Sequence, residues 1–243
     1  MNEELLKILL LDRTTGKNIL WANSEFGAQE IQAAQVYSIK PRYEKVRELQ
    51  KLRTKARAEI FTPPEICALQ NDLFDTVKRT WTEYIDAKFL EITCGEAPYL
   101  VSRYNAVTGD TIPLVERRGL LDRKFNVISN HATDEYDWIK WAGNALCSVY
   151  GYEFQGDNLF LARRNVFDTV IEYFTAKFTC KPPENFWTDI AEIISWNLWQ
   201  MDGLNYSPPF IDANPQMELF DTAPKGEIFC LIKDWKEDTP IKF

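Results

Sequence analysis

Two carboxylates and a glycine hold the positions where chemistry could be done. Glu91 stands four residues before Gly95 in "FLEITCGEAPYL", and Glu153 closes "SVYGYE". A short apolar run that ends in an acid and then a glycine predicts a strand running into a tight turn. Glycine there lets the backbone approach a ligand, and a helix opening after the turn offers unpaired N–H groups. An acid at the end of a second strand suits a ribose, because a carboxylate can accept both hydroxyl protons. Each feature also has a plainer reading: a strand-to-helix corner for the turn, a surface carboxylate for Glu153.

The remaining reactive side chains narrow the choice. His131 is the single histidine, and it lies in the polar stretch "SNHATDEYD", which reads as surface. Chemistry built on a histidine base therefore rests on that one residue. The five cysteines (Cys67, Cys94, Cys147, Cys180 and Cys230) are scattered without a CxxC pair. That pattern argues against a disulfide framework or a zinc site and fits a reducing, cytoplasmic setting. Trp138, Trp141, Trp187, Trp196 and Trp199 recur at helix-like spacings, the usual mark of core packing, with an aromatic wall for a base as the alternative. Arg117, Arg118 and Asp122 read as a charged turn, with nucleic-acid contact as the alternative.

The elements that must position these residues follow from pattern. The chain has 243 residues, 45% hydrophobic and 26% charged, enough for a sizeable core. No apolar run is long enough to cross a bilayer, and "MNEELLKILLLDRTTGK" lacks the marks of a secretory signal. Residues 4–12 read as a short strand or helix, 16–22 as a strand and 25–60 as helical. In "FTPPEICALQNDLFDTV" the spacing of Ile66, Leu69, Leu73 and Val77 predicts a helix. Strands are expected over 88–93, in "SVYGYE" and in "GEIFCLIKDW". The segment "VTGDTIPLVERRGLLDRKFNVIS" reads as a turn-rich connection. Alternating strands and helices from residue 88 predict an α/β sheet, preceded by a mostly helical cap over 1–87.

In that order, "FTPPEI", "FLEITCGEAPYL" and "VYGYEFQGDNLFLARRNV" resemble the adenine-specific DNA methyltransferases. The closest likeness is to the modification subunits of restriction systems, often labelled "restriction endonuclease subunit M". The resemblance covers roughly residues 50–205. It implies a Rossmann-like methyltransferase sheet with helices on both faces over 88–243, with an incomplete methyltransferase domain as the alternative. It implies S-adenosylmethionine as cofactor, bound by Phe61, Thr62 and Pro63, by Glu91, Thr93, Cys94, Gly95 and Glu96, and by Glu153 and Phe154. Asp202, in "NLWQMDGL", stands where the family has an acid near the adenine. The implied reaction is direct methyl transfer to an adenine amino nitrogen, and no metal is implied.

Two departures qualify the likeness. Ala97-Pro98 replaces the family's second glycine, and Pro98 removes an N–H donor. The catalytic tetrapeptide (Asn or Asp, Pro, Pro, aromatic) has one candidate, Ser207, Pro208, Pro209 and Phe210 in "NYSPPF". No apolar strand precedes it, so a proline-rich surface loop is the alternative. A catalytically inactive, methyltransferase-like binding subunit is therefore the rival to an enzyme, with a second subunit supplying catalytic or specificity elements.

Net charge is −8, which speaks against nucleic-acid binding by the chain as a whole. From Lys40 to Arg57, however, eight cations face only Glu44 and Glu48, a local +6 that leaves −14 for the remainder. Such a stripe can dock on DNA phosphate or be a solvated helix face.

Overall fold

The computed structural model describes residues 2–57, 59–60, 62–210 and 228–243. Three parallel strands form its central sheet: β1 (Phe89–Glu91), β2 (Val149–Glu153) and β3 (Leu198–Gln200), in that spatial order. Phe89 pairs with Val149 and Glu91 with Gly151; Gly151 pairs with Leu198 and Glu153 with Gln200. Parallel neighbours need long crossovers. Helices α5 (Leu120–His131) and α6 (Glu135–Cys147) lie between β1 and β2, and α7 (Gly156–Lys177) and α8 (Phe186–Asn197) between β2 and β3. The fold is thus mixed α/β.

Helix α7 is buried on nearly every side, which its mixed sequence hides. Arg163 explains how. Its guanidinium is fully buried and donates to the carbonyls of Leu198 (2.8 Å), Leu9 (2.8 Å), Leu11 (2.9 Å) and Ser195 (3.1 Å). A buried cation is tolerated when its donors are satisfied. Burial still pulls its pKa down to about 10. The same bonds tie α7 to β3, to the end of α8 and to α1 (Glu3–Leu10). Asn2 caps α1 by accepting from the Leu5 N–H at 2.9 Å. Leu5, Leu6, Leu9 and Leu10 join the core that holds Val149 and Leu198, so the first residues of the chain and the sheet share one apolar interior.

Several expectations are corrected. Residues 16–22 form no strand, only isolated bridges pairing Leu11 with Asn18 and Leu20 with Glu30. The 25–60 stretch is not one helix. Gly27 takes φ +54° and Pro41 interrupts further on, leaving 3-10 turns at Ala33–Ser38 and Arg42–Glu44 and then α2 (Arg47–Arg57). Helix α3 (Pro64–Asp75) forms, but it turns Cys67 and Asn71 inward while Leu69 and Leu73 stay 63% and 70% exposed. The Asn71 amide fixes that orientation by donating to the Tyr99 carbonyl at 2.9 Å. Helix α4 (Trp81–Asp86) follows, capped by Thr80. No helix opens directly after β1; turns and loop run on to α5. The supposed turn-rich connection therefore contains α5 itself. The last strand candidate forms a separate antiparallel hairpin, β4 (Leu231–Asp234) with β5 (Thr239–Lys242). Among the described residues no helix is long and apolar enough to cross a membrane.

Candidate functional site

Glu91 ends β1 and Glu153 ends β2, so both acids stand at the carboxyl edge of neighbouring parallel strands. This edge is where open α/β sheets bind ligands. Both acids line one cleft of about 720 Å³. Its wall continues through Thr93, Cys94, Gly95, Pro98 and Tyr99, through Tyr152, Phe154, Gln155 and Asn158, and through Asp202, Gly203 and Leu204. Glu59, Ile60 and Thr62 close it from the N-terminal part of the chain.

The turn after β1 is held under tension. Thr93, Gly95 and Ala97 all have positive φ (+50°, +55° and +62°). Glycine accepts this freely, while a non-glycine residue there costs about 1–3 kcal/mol. Two bonds hold the turn against β2. The Cys94 N–H donates to the Tyr152 carbonyl at 2.8 Å, and the Gly95 N–H donates to Glu153 Oε2 at 2.9 Å. Gly151 permits this closeness, because a Cβ there would lie 3.2 Å from Cys94 Cβ and 3.0 Å from Leu198 Cδ2.

The cleft is an acceptor surface. Glu153 Oε1 takes the Gln155 N–H at 3.0 Å, so each oxygen of this buried carboxyl holds one donor and keeps a second lone-pair direction. Burial pushes its pKa up to about 7, against the pull of those two N–H groups. Burial also drives Glu91 well above the usual carboxylate range, with the charge of Glu153 adding to it. Glu91 Oε2, Glu59 Oε1 and Gln155 Oε1 are buried without a partner. No Lys or Arg lines the cleft among the described residues. Such a wall fits a polar molecule with several hydrogen-bonding groups, because its buried oxygens need partners.

Of the residues singled out in the sequence, Thr62, Glu91, Thr93, Cys94, Gly95, Glu153, Phe154 and Asp202 line this one cleft. Pro63 caps α3 beside Thr62. Glu96 is buried away from the cleft, where it accepts from the Arg42 N–H at 2.7 Å and the Tyr104 hydroxyl at 2.5 Å. Phe61 lies outside the described residues. Asp202 sits in a turn, its Oδ1 accepting from the Leu204 N–H at 2.9 Å. Pro208 and Pro209 are buried, and the Phe210 ring meets Phe154 edge-on at 5.8 Å. The "NYSPPF" segment is thus packed beside the cleft. Glu59, Gln155 and Tyr99 were missed. No motif marks them; Glu59 is visible only as an acid two residues before Phe61.

The basic stripe is not one solvated face. Lys45 (3.1 Å) and Arg53 (2.8 Å) both pair with Asp157, and Arg53 also reaches Glu59 at 2.6 Å. Arg42 donates to the Glu59 carbonyl at 2.7 Å. Lys40, Arg47, Lys51 and Lys55 remain exposed. Arg117 is buried against Glu172, and Asp122 is buried accepting the Ser102 and Gly119 N–H groups, so neither is free for nucleic acid. His131 ends α5, stacked on Trp81 with ring centroids 4.8 Å apart, rather than standing in a loop. None of the tryptophans noted in the sequence lines the cleft; its aromatic residues are Tyr99, Tyr152 and Phe154. No family model matches the chain, and neither does any curated protein or solved structure.

Proposed function

We propose that the protein binds S-adenosylmethionine in this cleft and acts as an adenine-N6 DNA methyltransferase, or as the cofactor-binding portion of one, within a restriction-modification or defence system. The observation that carries the reading is the placement of Glu91 and Glu153 at adjacent strand ends around a glycine turn, with a buried Glu91 oxygen left unpartnered. Read this way, the sheet is the β1–β3 half of a Rossmann-like methyltransferase sheet with helices on both faces. Glu153 offers its remaining lone pairs to ribose hydroxyls, and Glu91 offers Oε2 to a donor on the amino-acid portion. Phe154 and Asp202 border the adenine. Bound S-adenosylmethionine supplies a methyl group on a positively charged sulfur, which an amino nitrogen can take directly.

Ser207 favours a second reading, a catalytically inactive binding subunit that works with a partner chain. A hydroxyl replaces the Asn or Asp side chain that would accept from a target amino group. DNA contact in either reading falls to Lys40, Arg47, Lys51 and Lys55, and is weak and non-specific.

Labelled S-adenosylmethionine and duplex DNA test both readings. The expected result is retention of the cofactor with little or no transfer by the chain alone. Robust transfer that Phe210→Ala abolishes would make Ser207–Phe210 catalytic and overturn the binding-subunit reading. Failure to retain the cofactor at all would overturn both.

A further inference from the structure

Glu59 reaches the cleft from outside the sheet, and its two oxygens are used very unequally. Oε2 receives three donors: Arg53 Nε at 2.6 Å, Gln155 Nε2 at 2.9 Å and Asn158 Nδ2 at 3.1 Å. Oε1 receives none, although the side chain is only 4% exposed. A carboxylate serving only to neutralise Arg53 would gain by spreading these donors over both oxygens. Arg53 cannot follow such a rotation, because Asp157 grips its other end through two bonds of 2.8 and 3.0 Å. The carboxylate is therefore locked, with one oxygen anchored and the other unpartnered, on a side chain that lines the same cleft as Glu91 and Glu153.

We propose that Glu59 is a ligand-contacting residue of this cleft, and that its Oε1 accepts a hydrogen bond from a hydroxyl or ammonium group of the bound molecule. The proposal rests on the reading of the cleft as an S-adenosylmethionine site. It adds a contact from the segment ahead of α3, so ligand binding and the Arg53–Asp157 anchor become parts of one arrangement.

Glu59→Gln is the informative change. Three donors hold an oxygen at the Oε2 position, so the new amide nitrogen must take the Oε1 position and present a donor there instead of an acceptor. Calorimetric titration of the full chain with S-adenosylhomocysteine should show binding weakened about tenfold or more, with Glu59→Gln still melting cooperatively. Equal affinity of Glu59→Gln and wild type would overturn the proposal and leave the cofactor reading standing. Absence of binding by the wild type would overturn the cofactor reading itself, and this proposal with it. Should Glu59→Gln fail to fold, a crystal structure of the wild type with the same ligand decides. A ligand donor within about 3.2 Å of Oε1 supports the proposal, and a ligand seated elsewhere in the cleft overturns it.

Discussion

Replacing Glu153 by Gln should change how stability depends on pH, and the structure fixes the sign. Burial raises the folded-state pKa of Glu153 from 4.5 to about 7. A carboxyl with a raised folded pKa favours the fold below its unfolded value, and that contribution is lost as pH rises through the folded value. At about 1.4 kcal/mol per pKa unit, the loss between pH 4.5 and pH 8 comes to about 3 kcal/mol. Gln has no proton to lose, so the variant escapes it. The variant bears a different, pH-independent cost. Its single acceptor oxygen cannot serve both the Gly95 and Gln155 N–H groups, which costs about 1–3 kcal/mol. Wild type should therefore be the more stable protein at pH 5, with the gap closing or reversing by pH 8. Urea unfolding of both proteins at pH 5, 6, 7 and 8, without ligand, measures that gap directly. A gap that stays constant across the range would refute the buried, proton-retaining Glu153 on which the electrostatics of the cleft depend.

Two further outcomes follow from the cleft's support and from the stripe. Arg53→Met removes the cation that the buried Glu59 and Asp157 share, and should destabilise the protein by about 3–5 kcal/mol in chemical denaturation. Replacing Lys40, Arg47, Lys51 and Lys55 by Gln should abolish DNA retention in a filter assay; in the wild type, the slope of log affinity against log salt should be no steeper than about −4.

The two strand-end acids were legible in the sequence because each closes a short apolar run with a glycine nearby, and backbone geometry alone then places them. What sequence patterns cannot show is which face of an element meets a neighbour. The Ile66, Leu69, Leu73 and Val77 spacing predicts a helix, and one forms, but it ends at Asp75 before Val77 and the face packed inward carries Cys67 and Asn71. Helix α5 was hidden for the opposite reason: Asp122 and Lys124 look like surface residues and are fully buried. Lys124 is held by the carbonyls of Ile85 (2.9 Å) and Ala87 (2.8 Å) and by Ser148 Oγ (2.6 Å), partners far off in sequence. The basic stripe misled similarly, since nothing local reveals that Asp157 and Glu59 draw Lys45 and Arg53 inward. Glu59 was illegible because its place on the cleft depends on those same distant contacts.

Equilibrium dialysis of the purified chain against labelled S-adenosylmethionine tests the central claim most directly. Saturable binding to one site, weakened about tenfold or more by Glu153→Ala, is the predicted result. No saturable binding, or binding that Glu153→Ala leaves unchanged, would contradict the assignment of this cleft.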